Sequence, residues 1–249
     1  MKGITAVILT KNEAKNIARC ITSLQWCDQI LVIDDDSQDK TVTIAQKLGA
    51  KIIPHQLNQD FAQQRNFALN QVNTEWTLYL DADEQIPLEL AHEIQQAITS
   101  DYPIAYRLKR QDIFFKKPLR YGETARWNQI RLSKTDAGKW VQPVHELWEI
   151  EGTVGQLHSP FLHFSHDDLT EFFNKINQYS TIVAQEFYHQ GKRSSWWQII
   201  SYPPGKFLQN YLLFLGFLDG THGFIHAALM SFHSYLVRSK LFLLQRKDQ

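Results

Sequence analysis

Residues 4–24 read ITAVILTKNEAKNIARCITSL. Ile4 to Thr10 is an apolar, β-branched run that stops at the polar Lys11-Asn12-Glu13, after which Ile17, Cys20, Ile21 and Leu24 recur at helical spacing. That is strand, loop, helix. The pattern returns where Ile30 to Ile33 runs into Asp34-Asp35-Asp36-Ser37, followed by helical periodicity from Thr41 to Leu48 and a stop at Gly49. It continues through a strand from Lys51 to Pro54, a helix around Phe61 to Val72, and a strand from Trp76 to Leu80 ending in Asp81-Ala82-Asp83. Apolar strands alternating with amphipathic helices predict an α/β fold, a Rossmann-like and mostly parallel sheet with helices on both faces.

Ligands of such sheets bind beyond the carboxyl ends of the strands. Polar clusters fall at three of those ends, Thr10 to Glu13, Asp34 to Asp36 and Asp81 to Asp83, which points to one shared site. Neither GxGxxG nor GxxxxGK[ST] occurs, which argues against a dehydrogenase and a P-loop NTPase. The 249 residues are 43% hydrophobic and 21% charged, enough for one compact domain with a core that needs neither disulfides nor metal to fold. With 26 Lys plus Arg against 26 Asp plus Glu, no global positive excess draws the chain to nucleic acid, and any polyanion site is local. Cys20 and Cys27 lack CxxC spacing and histidine partners, so they read as reduced thiols of a cytoplasmic protein. The start, MKGITAVILTKNE, reads as a first strand and not as a signal peptide.

From Tyr102 to about Trp148 the pattern loosens into short strands with Arg, Lys and Trp interleaved, and Phe161 to Phe164 gives another strand. A long helix follows, with Asp167 or Asp168 as N-cap and Leu169, Phe172, Phe173, Ile176, Tyr179 and Ile182 on one stripe. Tyr202-Pro203-Pro204-Gly205 marks the expected boundary between a catalytic body, 1–201, and a C-terminal tail, 202–249.

Asp81 and Asp83 bracket one small residue at a strand end, where carboxylates can meet a hard cation whose shell is completed by phosphate oxygens. Such a pair also suits a plain strand-to-helix turn, and the surrounding blocks decide between the two. VILTKNEAKNIARCITSL, then ILVIDDDSQDKT, QQRNFAL and WTLYLDADEQIP together resemble the nucleotide-sugar domain of family 2 glycosyltransferases with the GT-A fold. The later VQPVHE, FLHFSHDDLTEFFNKINQYS and GFLDGTHGFIHA resemble a subgroup that adds glucose to heptose in the inner core of lipopolysaccharide or lipooligosaccharide.

Carried over position by position, the resemblance implies that Thr10, Asn12 and Glu13 line the uridine pocket and that Asp34 reaches base or ribose. It also places Arg65 on the nucleotide side, though a plain surface ion pair suits that residue equally, with Asp81 facing ribose or sugar and Asp83 as principal ligand of Mn²⁺ or Mg²⁺. Many subgroup members have a small pair where this chain has Asp35-Asp36, so those two read as ordinary loop acids. An acceptor hydroxyl attacking an anomeric carbon needs one positioned carboxylate for single-displacement inversion. Glu146 is the residue expected as that base, on the acceptor side implied by the resemblance, or else a Glu that orders its loop through a hydrogen bond or ion pair; His145-Glu146 lacks the second histidine of a zinc protease motif. His163, at the end of a late strand with His166, is expected on the metal or diphosphate, or else as a structural histidine. Trp127, Trp140 and Trp148 suit either sugar stacking or packing.

The tail is apolar at Phe207, Leu208, Tyr211 to Leu215, Phe217, Leu218 and Phe224 to Val237, with Lys206, Arg238, Lys240, Arg246 and Lys247 outnumbering Asp219 and Asp248. Apolar surface with local positive charge fits helices lying on an anionic leaflet, while packing on the catalytic body or a homo-oligomer seam would use the same faces. The expected activity is a metal-dependent, inverting transfer of a hexose, glucose from UDP-glucose, to a lipid-anchored core oligosaccharide by a cytoplasmic protein peripheral on the inner membrane face. A polyprenyl-linked, capsular or O-antigen acceptor, or a non-catalytic nucleotide-sugar-binding protein, is the alternative.

Overall fold

The computed structural model describes residues 3–58, 60–142, 146–166 and 168–246, with the backbone alone at 165 and 166. In chain order its elements are β1 (Ile4–Thr10), α1 (Ile17–Thr22), β2 (Gln29–Asp34), α2 (Thr41–Lys47), β3 (Lys51–Pro54), α3 (Phe61–Leu69), β4 (Trp76–Asp81), the short β5 (Glu84–Gln85) and α4 (Leu88–Ala97). They continue with β6 (Ala105–Phe114), β7 (Lys117–Pro118), β8 (Asn128–Lys134), β9 (Gly138–Val141), β10 (Leu147–Ile150), β11 (Val154–Gln156), β12 (Phe161–His166), α5 (Leu169–His189), α6 (Trp196–Leu208) and α7 (Gly220–Leu244). Two compact units result, Met1–Arg110 with Trp127–His163, and Gln111–Arg126 with Phe164–Gln249.

In the first unit β1 lies between β2 and β4, parallel to both, and β3 continues the parallel set beside β2. Beyond β4 the sheet turns antiparallel, with β8 beside β4 and β6 beside β8. The sheet is therefore mixed. The parallel strands are those whose apolar runs are legible in sequence; the antiparallel ones come from the loosened stretch after Tyr102.

Alternation along the strands divides the core in two. Ile4, Ala6 and Ile8 pack with Val32, Leu78 and Leu80 under Ile17, Cys20 and Ile21 of α1 and Leu90 and Ile94 of α4. Val7, Leu9, Leu31, Ile33 and Tyr79 form the other face, covered by Ala62 and Ala68 of α3 and by Trp140 and Trp148. Each fully buried aliphatic side chain contributes about 1.5–3 kcal/mol. Helices on both faces was the expectation; the second face is instead shared between α3 and the antiparallel hairpin of β9 and β10. Its two indoles stack with ring centroids 5.0 Å apart, each presenting an edge contact to Tyr79 at 5.1 Å. Trp140 and Trp148 are thus core residues, whereas Trp127 is 42% exposed beneath the Arg110 guanidinium. Gly138 allows the hairpin to close, since a Cβ there would lie 1.9 Å from the Glu149 carbonyl oxygen.

In the second unit β7 pairs antiparallel with the end of β6. Asp168 caps α5, accepting from the backbone N–H groups of Thr170 and Glu171 at 2.6 and 3.0 Å, while Asp167 lies outside the described residues. The buried line of α5 is Phe172, Ile176, Ser180 and Ala184, four residues apart, so Leu169, Phe173, Tyr179 and Ile182 of the expected stripe stay exposed. Helix α6 begins with a capping box of Ser195 and Gln198 and runs straight through Pro203 and Pro204. The expected boundary at 201/202 therefore falls inside a helix. Proline removes a backbone donor from a helix interior, and here α7 braces the site, Ser231 Oγ donating to the Pro203 carbonyl at 2.7 Å. Gln209–Leu213 continues as a π-helical turn and Gly216–Asp219 as a 3₁₀ turn before α7. Among the described residues no single helix is long and apolar enough to cross a membrane; Trp196–Leu213 and Gly216–Leu244 meet that measure only as a pair bent by 72°.

Candidate active site

Strand register places the predicted residues along one edge of the first unit. Thr10 lies opposite Asp34 and Leu9 opposite Asp81, so the carboxyl ends of β2, β1 and β4 stand side by side at the inter-strand spacing of about 4.8 Å. The loops leaving β1 and β2 are tied together. Asn12, in the left-handed region at φ 55°, donates its N–H to Ser37 Oγ and accepts from the Gln38 N–H at Oδ1. Glu13 donates its N–H to Thr41 Oγ1 and accepts from Asn16 Nδ2, so both residues build the loop they stand on. Asp34 is buried; its Oδ2 accepts from the Ser37 N–H at 2.9 Å, while Oδ1 and the nearby Thr10 Oγ1 are buried with no hydrogen-bond partner among the described residues. Buried polar oxygens without partners are costly and mark a place where another molecule can satisfy them. Asp35 behaves as the loop acid expected, paired with Lys11 Nζ at 2.8 Å and accepting from the Leu57 N–H at 2.9 Å. Burial pushes its carboxyl up, but those two partners outweigh it and hold it below its ordinary value.

Arg65 projects from α3 and is 3% exposed. Its Nε donates to Glu146 Oε1 at 3.0 Å, and one terminal nitrogen reaches Glu146 Oε1 at 2.9 Å and Asp81 Oδ1 at 3.1 Å. Its guanidinium lies 4.7 Å from the Trp140 ring centroid, and Tyr79 Oη donates to the Arg65 carbonyl at 2.6 Å. Arg65 is therefore no surface ion pair. Asp81 has a second cation, Arg131 of β8, at 3.2 Å from Oδ2; the same Arg131 nitrogen donates to Glu84 Oε1 at 3.0 Å. Glu84 Oε2 accepts from the Asp81 N–H at 2.9 Å. Burial works to raise the Asp81 carboxyl, yet Arg131 and Arg65 prevail and hold it well below the usual carboxylate range. Glu84 goes the other way: burial pushes it up to about 7 against the pull of Arg131. Arg131 and Glu84 are members of this charge system that sequence reasoning missed. The available signal was an arginine flanked by Ile130 and Leu132 in a strand, since a charge within an apolar run must be paired.

Asp83 and His163 come together, Nε2 of the histidine lying 3.4 Å from Oδ2 of the carboxylate, both largely but not wholly buried. One carboxylate and one imidazole suit a borderline divalent cation such as Mn²⁺ that completes its shell with phosphate oxygens. Among the described residues no group of three or more His, Cys, Asp or Glu side chains converges. The side chain of His166 lies outside what is described. Beside this edge is a cleft of about 240 Å³ lined by Arg65, Arg107, Asn128, Arg131, Trp140 and Glu146. Glu146 thus faces an enclosed space with one oxygen held by Arg65, and among the described residues its Oε2 takes no hydrogen bond.

The arrangement can hold a nucleoside at the β1–β2 edge, a cation and diphosphate at Asp83, and an acceptor before Glu146. Comparison with known proteins bears on family and fold. Along its length the chain is 29% identical over 263 residues to the uncharacterized glycosyltransferase RP128 of Rickettsia prowazekii (strain Madrid E), covering 100% of this chain and 90% of that one. It is 28% identical over 247 residues to the lipopolysaccharide core biosynthesis glycosyltransferase LpsC of Rhizobium meliloti (strain 1021), covering 96% and 92%. Its fold is similar to the crystal structure of S. aureus TarS 1–349 in complex with UDP, with a TM-score of 0.50 at 14% identity over 99% of this chain and 92% of that one. It is also similar to a mycobacterial protein, with a TM-score of 0.51 at 14% identity over 78% and 76%. These likenesses agree with a GT-A-like α/β architecture. The Glycosyl transferase family 2 model matches residues 5–147, the stretch that carries Thr10, Asp34, Arg65, Asp81, Asp83 and Glu146, and the chain belongs to that family of glycosyltransferases.

Proposed function

We propose that this glycosyltransferase inverts configuration while moving a hexose, glucose from UDP-glucose, to a lipid-anchored lipopolysaccharide core oligosaccharide at the cytoplasmic face of the inner membrane. The observation that carries the reading is the meeting of Asp81 and Glu146 on the one guanidinium of Arg65, where Arg65 and Glu146 line the cleft. A carboxylate fixed at one oxygen keeps the other oriented toward an incoming hydroxyl, which is what a general base requires.

In the transfer, the acceptor oxygen bonds to the anomeric carbon from the face opposite the diphosphate. The bond from that carbon to the diphosphate oxygen breaks, and its electron pair leaves with the nucleoside diphosphate. The hydroxyl proton passes to Glu146. Thr10 Oγ1 and Asp34 Oδ1 would receive the polar edges of the nucleoside, for which they are buried and unpartnered. Asp83 and His163 would hold Mn²⁺ or Mg²⁺, which when bound offsets negative charge developing on the leaving diphosphate. Arg65 and Arg131 keep Asp81 ionised and in place beside them. The uridine donor is supported by the sequence resemblance and by the UDP complex of the similarly folded TarS, and the core-oligosaccharide acceptor by the likeness to LpsC.

The deciding experiment offers a panel of nucleotide sugars to the purified protein, with and without Mn²⁺ and with and without core-oligosaccharide lipid, and measures nucleoside diphosphate release. Acceptor-dependent release of UDP, greatest with UDP-glucose, is expected. The reading falls if no donor gives release that depends on the acceptor.

A further inference from the structure

Helix α6 is built mostly of apolar residues, yet none of its 13 residues is buried. Trp196 and Tyr202 are exposed on it, and Trp197, Ile200 and Leu208 recur at near-helical intervals along one line that Leu212 extends, with Leu213, in the π-helical turn. Trp197 is 61% exposed and Leu213 75%. At 1.5 Å per residue the stripe from Trp197 to Leu212 is about 22 Å long. Soluble monomers seldom leave a continuous apolar band of this kind in water.

The charges around it choose the partner. From Phe187 to Leu218 the chain has no Asp or Glu, while Lys192, Arg193 and Lys206 are basic. Lys206 is taken by Glu123. Lys192 and Arg193 are exposed at the entrance to α6, resting against the Phe187 and Tyr188 rings and standing just before the exposed pair Trp196-Trp197. Exposed cations beside indoles at one end of an apolar stripe are the features of a helix lying in the headgroup layer, with indoles at the polar boundary and cations on anionic lipid. The 72° bend before α7 interrupts any straight passage through the bilayer.

We propose that the Trp197–Leu213 stripe is the surface by which this protein lies on an anionic bilayer. Its apolar side chains enter the interface, and Lys192 and Arg193 engage acidic headgroups. The contact begins at the amino end of α6 and so includes residues upstream of position 202. The proposal goes with the lipid-anchored acceptor described above and is tested apart from it.

Full-length protein is mixed with vesicles of phosphatidylglycerol and phosphatidylethanolamine, or of phosphatidylcholine, and sedimented at low and high salt. The wild type should bind the anionic vesicles, at least tenfold more weakly at high salt, and neutral ones poorly. A variant carrying Trp197→Glu, Ile200→Glu and Leu212→Glu should lose at least tenfold in binding while keeping its circular dichroism and UDP affinity. Leu88→Glu, at an exposed leucine on α4 of the first unit, should bind as wild type does. The proposal is overturned if the triple variant sediments like the wild type or if the wild type ignores anionic vesicles. It is equally overturned if the wild type is a dimer that the triple variant dissociates, which would make the stripe a subunit seam. UDP release with a delipidated, soluble acceptor reads the catalytic assignment separately: its absence would sink that assignment and leave vesicle binding standing.

Discussion

Arg65 Nε lies 3.0 Å from Glu146 Oε1, joining helix α3 to the residue that precedes β10, 81 positions later in the chain. The same guanidinium holds Asp81, so both carboxylates share one cation. Arg65→Ala should leave two carboxylates facing each other in a largely buried place, and a loss on the order of 3–5 kcal/mol in urea denaturation is expected. Arg65→Lys keeps the charge but not the fork or the Trp140 contact. It should be the milder fold defect, yet transfer should drop at least tenfold; wild-type turnover in Arg65→Lys would show that the fork positions nothing.

Glu146→Gln tests the proposed split between binding and chemistry, in which Glu146 would act on the acceptor while the nucleotide would lie at the strand ends. Donor affinity by calorimetry should stay close to wild type while the transfer rate falls about a hundredfold or more. Gln can still accept from Arg65, so the thermal midpoint should move little. Near-normal turnover would transfer the role to another acid.

Asp83→Ala should remove the Mn²⁺-dependent part of UDP binding and nearly abolish transfer, since the diphosphate then lacks its counter-charge. His163→Ala should weaken the Mn²⁺ requirement less, about tenfold in the concentration needed for half-maximal rate. UDP titrations with and without Mn²⁺ read both; metal-dependent affinity unchanged in a folded Asp83→Ala protein would reject the pair as the cation's holders.

Two acids of this cluster, Asp81 and the buried Glu84, give a pH dependence with opposing signs. Asp81, held low by Arg131 and Arg65, contributes stability above its unfolded value near 4, lost only as pH falls through its depressed folded value. Glu84, pushed up to about 7 by burial, binds its proton more tightly folded than unfolded, so its contribution is complete below about 4 and lost as pH rises through 7. Urea midpoints should therefore decline between pH 5 and 8. Glu84→Gln, which cannot ionise, should flatten that slope and exceed the wild type at pH 8 by on the order of 2 kcal/mol. A slope that survives in Glu84→Gln would assign the titration elsewhere.

What the sequence determined by itself is the parallel half of the sheet and the acids at its edge. Ile4 to Thr10, Ile30 to Ile33 and Trp76 to Leu80 declare themselves as strands because apolar periodicity is a local property, and β1 occupies the residues expected of it. Strand ends followed by helices place Asp34, Asp81 and Asp83 where ligands bind, whatever the loops do. Tertiary structure decided the rest. Whether Arg65 is a surface or a buried residue depends on the hairpin of β9 and β10 folding over α3, a contact between segments some 75 positions apart that no window of sequence contains. Arg131 joins Asp81 and Glu84 only because β8 settles antiparallel beside β4. The exposure of α6 likewise follows from which helices pack together: apolar residues at helical spacing look the same in sequence whether they meet a core, a second subunit or a membrane.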